Sequence, residues 1–335
     1  MLKVGVLGAG FMGRTHARAF ARLPGVKVVA VSSRSAEKAA SLAREVGAEP
    51  STDAMAVATD PRVDAISNTL PGNLHKDYTI AALDAGKSVL VEKPMGLSVE
   101  ECDAMIAAAR RNDRILMVAH VLRFWPQYLA VVGLVRSGQL GKPLSATASR
   151  LAPPPSWGDW FANPAWTGGS VLDLHVHDLD VFNWLFGTPR SIVARGQKGT
   201  TGGWDHALTL VDYGNANGFA EGSTIRPEGY PFTMSLWVTC EKGTVEYTFR
   251  AAGETVVDGT AGTSLTVYEA GKEPRPLPAP GGDGYEAQAA YFVECVRERR
   301  RPERGTAEQG RLAVMMALAA RQSIETNQIV PLGNQ

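Results

Sequence analysis

Apolar residues follow two different patterns along this chain, and the change falls near Leu122. Before it, short apolar runs alternate with longer segments whose apolar residues recur at helical spacing. The runs predict strands at Met1–Leu7, Val26–Ser32, Val63–Thr69, Ser88–Val91 and Ile115–Ala119. The segments between them predict helices at Arg14–Leu23, Ala36–Val46, Leu74–Ala85 and Val99–Arg111. Strands separated by helices of this length indicate a parallel, doubly wound sheet, whose strands end at one ligand-binding edge.

Beyond Leu122 the pattern predicts a helix and then many short strands. Met234, Leu236 and Val238 alternate with polar residues and Trp237, a period of two that is typical of a sheet with two different faces. Short spacings between strands predict mostly antiparallel pairing. The predicted strands are Lys142–Leu151, Ser191–Gln197, His206–Tyr213, Gly218–Ile225, Phe232–Cys240, Thr244–Arg250 and Ser264–Tyr268. The predicted helices are Phe124–Val135, Ser170–Phe186, Tyr285–Arg299 and Thr306–Asn327, and Ala152–Trp166 is predicted to be a loop.

These two patterns predict two domains. Residues 1–121 are expected to form an α/β, Rossmann-like dinucleotide-binding domain with a doubly wound parallel sheet. Residues 122–335 are expected to form an α+β domain with a large, mostly antiparallel open sheet, which binds substrate and mediates oligomerisation. Because apolar groups on both faces of an open sheet need cover on both, we expect a homodimer or homotetramer.

The composition excludes several classes of function. Lys plus Arg number 34 and Asp plus Glu number 34 in 335 residues, so there is no electrostatic case for binding nucleic acid or an anionic membrane. Three widely spaced cysteines, Cys102, Cys240 and Cys295, argue against a disulfide framework and lack metal-site spacing. We expect a cytoplasmic protein, because the N-terminal apolar run is too short for a secretory signal and no stretch suits a membrane span.

The first glycines carry the clearest chemical signal. Gly8, Gly10 and Gly13 follow the first strand in the pattern G-x-G-x-x-G and lead into a helix. In a dinucleotide site, the first glycine permits the tight turn, the second lets the backbone approach a pyrophosphate, and the third lets the helix pack closely. An ordinary strand–helix turn with glycines is the alternative, and the position after a strand favours the dinucleotide site.

The end of the second strand bears on the choice of cofactor. NAD-binding folds place an acidic residue there for the ribose hydroxyls, whereas this strand ends in Ser33 and Arg34, with Lys38 one helical turn further on. These side chains suit a 2′-phosphate, because a cation pairs with it and an acid repels it. NADP is therefore favoured and NAD remains possible, since Arg34 is able to stack on adenine with either cofactor.

Several motifs together resemble the Gfo/Idh/MocA family, the family of glucose–fructose oxidoreductase and inositol dehydrogenase. They are Gly8–Gly13 (GAGFMG), Thr69–His75 (TLPGNLH), Glu92-Lys93-Pro94, and Gly168–Asp173 (GGSVLD) followed by His177 and Asp178. The last two helices also fit, so the resemblance covers essentially the whole chain. Glu-Lys-Pro with a downstream Asp-x-x-x-His is much more specific than the glycines. The chain departs from many relatives at His175, where a glycine is common, and at Ser33.

The resemblance implies an NAD(P)-dependent dehydrogenase or reductase acting on a sugar, a sugar derivative or a cyclitol. By matching positions, Lys93, Asp173 and His177 would be catalytic. With the residues argued above, the predicted cofactor site comprises Gly8, Gly10, Phe11, Met12, Gly13, Ser33, Arg34, Lys38, Leu70, Pro71, Asn73, His75, Glu92 and Lys93. The predicted substrate site comprises Lys93, His120, Arg123, Trp166, Asp173 and His177.

The residue types support these roles independently. Lys93 follows a predicted buried strand and precedes Pro94, so its backbone is extended and constrained at the ligand-binding edge. Asp173 and His177 are four residues apart on a predicted helix and so share a face. Helix capping by Asp173 together with Ser170, and simple surface exposure for Lys93 and His177, are the alternatives.

The neighbouring histidine and tryptophans have other interpretations. His175 lies on a different helix face, which favours packing, and a zinc site of Asp173, His175 and His177 is disfavoured because the imidazoles of His-x-His diverge on a helix. No metal is therefore expected. Trp157, Trp160 and Trp166 crowd one loop, where aromatic rings either stack on a sugar or form a hydrophobic plug.

Two other functions remain compatible with these motifs. A hydrolase of the same architecture would use bound NAD for transient oxidation and eliminate a glycosidic group without net redox change. A dinucleotide-sensing protein would bind without turnover, although it has no need of Lys93, Asp173 and His177 together.

Overall fold

The computed structural model describes residues 1–154, 163–251 and 262–333. Its contacts group the chain into two compact units, and each is described by itself. Unit 1 contains Met1–Trp125 and Gly282–Arg311, and unit 2 contains Pro126–Gly281 and Leu312–Gln335. No helix among the described residues has both the length and the apolar character needed to cross a bilayer.

Unit 1 is built on a six-stranded parallel sheet with strand order β3-β2-β1-β4-β5-β6, so the predicted doubly wound sheet is confirmed. Its strands are β1 Leu2–Leu7, β2 Val26–Ser32, β3 Glu49–Ser51, β4 Ala65–Asn68, β5 Ser88–Val91 and β6 Leu116–Val118. Its first helices are α1 Phe11–Arg22, α2 Ala36–Val46, α3 Ala54–Thr59, α4 His75–Asp84 and α5 Val99–Arg111.

Local sequence explains where these helices start and stop. The side chains of Ser35, Asp53 and Ser98 accept backbone N–H bonds at the starts of α2, α3 and α5. Gly47 ends α2 in the left-handed conformation that glycine adopts without strain. The sequence pattern missed β3 and α3, because β3 has only three residues and α3 only six.

A late segment of the chain packs into unit 1. Helix α9, Gly284–Glu298, contributes Phe292 to the core, where its ring lies edge-on to Phe20 of α1 with centroids 6.2 Å apart. The predicted domain boundary at residue 121 stays a prediction. These contacts place α9 with the parallel sheet rather than with the residues that precede it.

Unit 2 contains a nine-stranded sheet with strand order β14-β13-β12-β11-β7-β10-β9-β8-β15. Apart from the parallel pair β7 and β10, its neighbours are antiparallel, which confirms the predicted open sheet. Its strands are β7 Pro143–Leu151, β8 Ser191–Lys198, β9 Trp204–Asp212, β10 Asn217–Ser223, β11 Thr233–Cys240, β12 Gly243–Arg250, β13 Gly262–Glu269, β14 Arg275–Pro276 and β15 Val330–Pro331. The remaining helices are α6 Pro126–Arg136, α7 Pro164–Thr167, α8 Val176–Phe186 and α10 Ala307–Thr326.

The two faces of this sheet differ as the period of two predicts. Met234, Leu236 and Val238 of β11 are buried, whereas Trp237 between them is 45% exposed. In register with Trp237, Phe219 and Leu210 on β10 and β9 are also exposed, so an apolar row crosses the open face.

Two predictions in the middle of the chain need correction. The sequence pattern predicts a loop at Trp166, whereas this residue lies in the short helix α7. The predicted single helix Ser170–Phe186 starts with a π-helix, Val171–His175, and continues as α8. Nothing in the apolar spacing indicates the wider turn. Trp157 and Trp160 lie outside the described residues.

Candidate functional site

The glycine turn of unit 1 has the geometry of an anion cradle. Gly8 has a φ of +101°, and a Cβ on Gly13 would lie 2.0 Å from the Gly8 carbonyl oxygen, so both positions require glycine. Gly10 precedes α1, and a Cβ there would meet no protein atom within 4 Å. The N-terminal end of α1 therefore faces open space beside Gly10, where helix N–H groups attract an anion. Phe11 is exposed and Met12 is half-buried at this helix start.

The end of β2 carries polar and basic side chains. Ser33 follows β2, and its hydroxyl accepts a 3.3 Å hydrogen bond from the Ser35 backbone N–H. Arg34 and Lys38 are both exposed, and Glu37 stands beside Lys38 in the first turn of α2. The two residues that follow the strand thus carry a hydroxyl group and a positive charge, as the sequence predicts.

A buried carboxylate lies beneath the predicted catalytic lysine. Glu92 follows β5, and its Oε1 lies 3.0 Å from His16 Nε2 while its Oε2 accepts a 3.0 Å bond from the Lys93 backbone N–H. His16 Nδ1 lies 2.8 Å from the hydroxyl oxygen of Ser67 at β4. Burial raises the pKa of Glu92, but the hydrogen bond and charge of His16 outweigh it and hold that pKa below its usual value. The carboxylate therefore stays ionised and fixes the backbone at Lys93.

His75 joins two segments of the same sheet edge. Its Nε2 lies 2.7 Å from the Leu70 carbonyl oxygen and its Nδ1 lies 2.8 Å from the Pro94 carbonyl oxygen. Burial lowers the pKa of His75, and a neutral ring donates to one of these carbonyls at a time. Asn68 also holds the Leu70 segment, because its side-chain oxygen accepts a 3.3 Å bond from the Leu70 N–H.

The other residues predicted in this unit differ in exposure. Lys93, Pro71 and Asn73 are half-buried, so they line the accessible edge. His120 and Arg123 follow β6 and are only 1% and 2% exposed, so access to either from solvent is small.

Unit 2 presents Asp173 and His177 on one helical segment. Gly168 and Gly169 have φ values of +78° and +77°, and they lead into the π-helix that contains Asp173. Asp173 and His177 are half-buried, whereas most residues around them are buried. A π-helical turn is frequent at functional sites, because it changes which side chains point outward.

Ser170 does not cap this segment. Its hydroxyl instead lies within hydrogen-bonding distance of Asp205 Oδ1 and of the Thr224 hydroxyl. Trp166 is 37% exposed on α7, close in sequence to this turn. The capping alternative for Asp173 thus receives no support from Ser170.

His175 packs against the sheet. It is fully buried, and its Nε2 lies 2.8 Å from the Thr209 hydroxyl oxygen on β9. Burial, together with the nearby Arg150 charge, lowers the pKa of His175 to about 4, so the ring is neutral at physiological pH. Among the described residues, no three His, Cys, Asp or Glu side chains are arranged to hold a metal ion.

Sequence reasoning missed His16 and Ser67 as supports of this edge. His16 lies on the buried face of α1, three residues after Gly13, and only the fold reveals that it reaches Glu92. A polar residue on the apolar face of a predicted helix was the one available signal.

Known proteins define the class to which this geometry belongs. A model of an oxidoreductase family with an NAD-binding Rossmann fold matches residues 2–120. The model of the GFO/IDH/MocA C-terminal domain matches residues 128–246. The protein is thus an oxidoreductase that uses a nicotinamide dinucleotide. It belongs to the Gfo/Idh/MocA family, as the sequence motifs indicated.

Individual relatives agree with this membership. The chain is 28% identical over 314 residues to scyllo-inositol 2-dehydrogenase (NAD(+)) of Bacillus subtilis (strain 168), covering 90% of this chain and 88% of that protein. It is 34% identical over 188 residues to 1,5-anhydro-D-fructose reductase of Ensifer adhaerens, covering 55% and 56% of the two chains. The alignment with the reductase thus spans about half of its length.

Solved structures show the same fold. Levoglucosan dehydrogenase in complex with NADH and levoglucosan superimposes with a TM-score of 0.84 over 99% of this chain and 100% of its own, at 22% identity.

We predict that Gly10→Ala weakens NADH binding at least about 10-fold without lowering the melting temperature, because the new methyl group occupies the space beside the helix start that we expect the pyrophosphate to approach. Gly13→Ala should lower the melting temperature, since its Cβ meets the Gly8 carbonyl oxygen. Gly133→Ala, which also meets no protein atom within 4 Å, is the matched control. Fluorescence titration with NADH and a thermal melt test this, and unchanged affinity in Gly10→Ala would contradict the site.

Proposed function

We propose that this protein transfers a hydride between a nicotinamide cofactor and a hydroxyl or carbonyl group of a sugar, a sugar derivative or a cyclitol. The observation that carries the proposal is the position of Lys93 at the carboxyl edge of a dinucleotide-binding sheet, with its backbone N–H held by the buried Glu92 carboxylate. The names of the relatives, an inositol dehydrogenase and an anhydrofructose reductase, support this substrate class. These names favour an enzyme that carries out net oxidation or reduction over a hydrolase or a dinucleotide-sensing protein.

The residues of unit 1 fit a dinucleotide. The open space at Gly10 and the helix start beside it suit the pyrophosphate, and Leu70, Pro71, Asn73 and Lys93 follow neighbouring strands of the same edge. When bound, the nicotinamide accepts or returns the hydride. The protein must then bind the substrate and move the hydroxyl proton.

We assign the transfer of the substrate hydroxyl proton to His177, because an imidazole both accepts and returns protons near neutral pH. Asp173, in the same partly exposed helical segment, would orient His177 or bind a substrate hydroxyl. Lys93 would donate a hydrogen bond to the reacting oxygen and stabilise its negative charge as the proton leaves. His120, Arg123 and Trp166 complete the proposed substrate residues.

We also propose a preference for NADP. Ser33 and Arg34 present a hydroxyl and a cation directly after β2, where NAD-dependent folds place a carboxylate, and Lys38 adds a second cation in the first turn of α2. Glu37 is the acidic residue nearest in sequence, and it lies beside Lys38 in the first turn of α2, so no carboxylate directly follows the strand. A guanidinium or ammonium group pairs with a 2′-phosphate through charge-assisted hydrogen bonds.

The open face of the large sheet supports a homodimer or homotetramer. Trp237, Phe219, Leu210 and Leu208 are 38–45% exposed on three strands, which leaves an apolar patch that a second copy would cover. Because the chain has three cysteines and all are buried free thiols, the proposal of a reducing, cytoplasmic environment is also supported.

We expect His177→Ala to lower kcat about 10²–10⁴-fold with little change in NADH affinity, because it removes the proton acceptor. Lys93→Met should impair the same step, whereas Lys87→Met, which changes the lysine that directly precedes β5, should leave it in place. A panel of sugars and cyclitols is assayed by the absorbance of reduced nicotinamide. Wild-type oxidation should rise with pH through an ionisation that His177→Ala loses, and activity within about threefold of wild type would rule out this role.

For the cofactor, we expect NADP(H) to bind about 10–100-fold more tightly than NAD(H), because Ser33, Arg34 and Lys38 meet the additional phosphate. Ser33→Asp should reverse or abolish that ratio by repelling the phosphate. Arg44→Gln, exposed at the far end of α2, should leave the ratio unchanged. Calorimetric dissociation constants decide this, and a wild-type preference for NAD would contradict the assignment.

For the assembly, light scattering at micromolar concentration should give the mass of a dimer or tetramer. Trp237→Glu should shift the population toward monomer, because a carboxylate on the apolar face is costly to bury. Ile329→Glu changes an exposed apolar residue outside these strands and serves as the control. A monomeric wild-type protein would show that this face has another role.

A further inference from the structure

A buried ion pair connects the sheet of unit 2 to the helical segment that carries Asp173 and His177. Arg150 Nη2 donates to Asp178 Oδ1 at 2.9 Å, and Arg150 Nε donates to Asp178 Oδ2 at 3.2 Å. The two side chains are only 4% and 1% exposed. Tyr128 and Met234 complete the surroundings, with the Tyr128 hydroxyl oxygen 3.3 Å and the Met234 sulfur 3.5 Å from the guanidinium.

The Arg150–Asp178 pair is one of two buried contacts that hold the same side of the helical segment against the sheet. Asp178 is three residues after His175, so these two side chains share a helix face. His175 contacts Thr209 on β9 while Asp178 contacts Arg150 on β7, so the face is fastened to two strands of the sheet. Asp173 and His177, four residues apart, belong to the partly exposed positions of the same segment.

This segment needs such anchors more than a regular α-helix does. Its first turn is π-helical and the change to α-helix falls at Val176, between Asp173 and His177. The two hydrogen-bonding patterns differ in residues per turn, so the change alters the direction in which the side chains beyond it point. A bidentate guanidinium–carboxylate contact fixes both distance and orientation.

We propose that Arg150 and Asp178 are positioning residues, which set the rotation of the helical segment so that His177 and Asp173 point to the substrate. His177 directly precedes Asp178, and successive side chains on an α-helix are about 100° apart, so fastening Asp178 fixes the direction of His177. The proposal deepens the proposed function and depends on the role assigned to His177.

A buried ion pair is weak evidence for a stabilising role. Replacing a buried ion pair by well-packed apolar residues of similar volume is often neutral or stabilising, whereas removing one partner is strongly destabilising. The apolar replacement therefore separates the two roles, because it keeps the fold and removes the directional contact.

The test compares the double variant Arg150→Met/Asp178→Leu with wild type. We expect an unchanged or higher melting temperature, NADH affinity within about twofold, and kcat reduced about 10–100-fold, because small misplacements of a reacting group are costly. Tyr128→Phe removes the hydroxyl beside Arg150 and keeps the bidentate contact between Arg150 and Asp178. This variant should retain kcat within about twofold. A folded double variant with wild-type kcat would overturn the proposal.

A second readout does not depend on turnover. The imidazole resonances of His177 in a ¹H–¹⁵N correlation spectrum should shift in the double variant and stay in place in Tyr128→Phe. If the double variant does not fold, Arg150→Lys takes its place, because it keeps the positive charge and loses the bidentate contact. It should show the same decrease in kcat and the same shift of the His177 resonances. An inactive wild type would contradict the proposed function, whereas unmoved His177 resonances would contradict the positioning role.

Discussion

The ionised carboxylate of Glu92 is the constraint on which the cofactor edge of unit 1 depends. A buried charge is costly unless it is paired and hydrogen-bonded, so Glu92 requires both His16 and the Lys93 N–H. His16 belongs to the helix that follows the glycine turn, and Lys93 follows β5. The contact between Glu92 and His16 therefore links the helix that follows the glycine turn to the backbone of the proposed catalytic lysine.

Much of the fold could be predicted because it follows from local pattern. Apolar runs separated by helices gave the parallel sheet, and the period of two around Leu236 gave the two-faced sheet. What could not be predicted is set by distant contacts. The pattern of residues 285–299 predicts a helix, but only the packing of Phe292 on Phe20 shows which sheet it covers. The π-helical turn, likewise, leaves no trace in apolar spacing.

The site divides in the same way. The order of strands places Gly10, Ser33, Pro71 and Lys93 after neighbouring strands, so their common edge could be predicted from topology. The buried residues that hold this edge in place could not be predicted, because the partner of a buried polar side chain is often far away in sequence. His16 is 76 residues from Glu92, and no local rule relates the two positions.

In both units a buried contact between polar side chains lies next to the proposed reacting residue in sequence. Lys93 rests on the His16–Glu92 contact, and His177 is adjacent to the Arg150–Asp178 pair. A reacting group whose backbone is fixed by buried contacts loses less freedom when the transition state forms, which lowers the entropic cost of the reaction. These contacts face the protein interior rather than the substrate. It follows that the buried contacts would position the proposed reacting groups, while contact with the substrate falls to the partly exposed Lys93, Asp173 and His177.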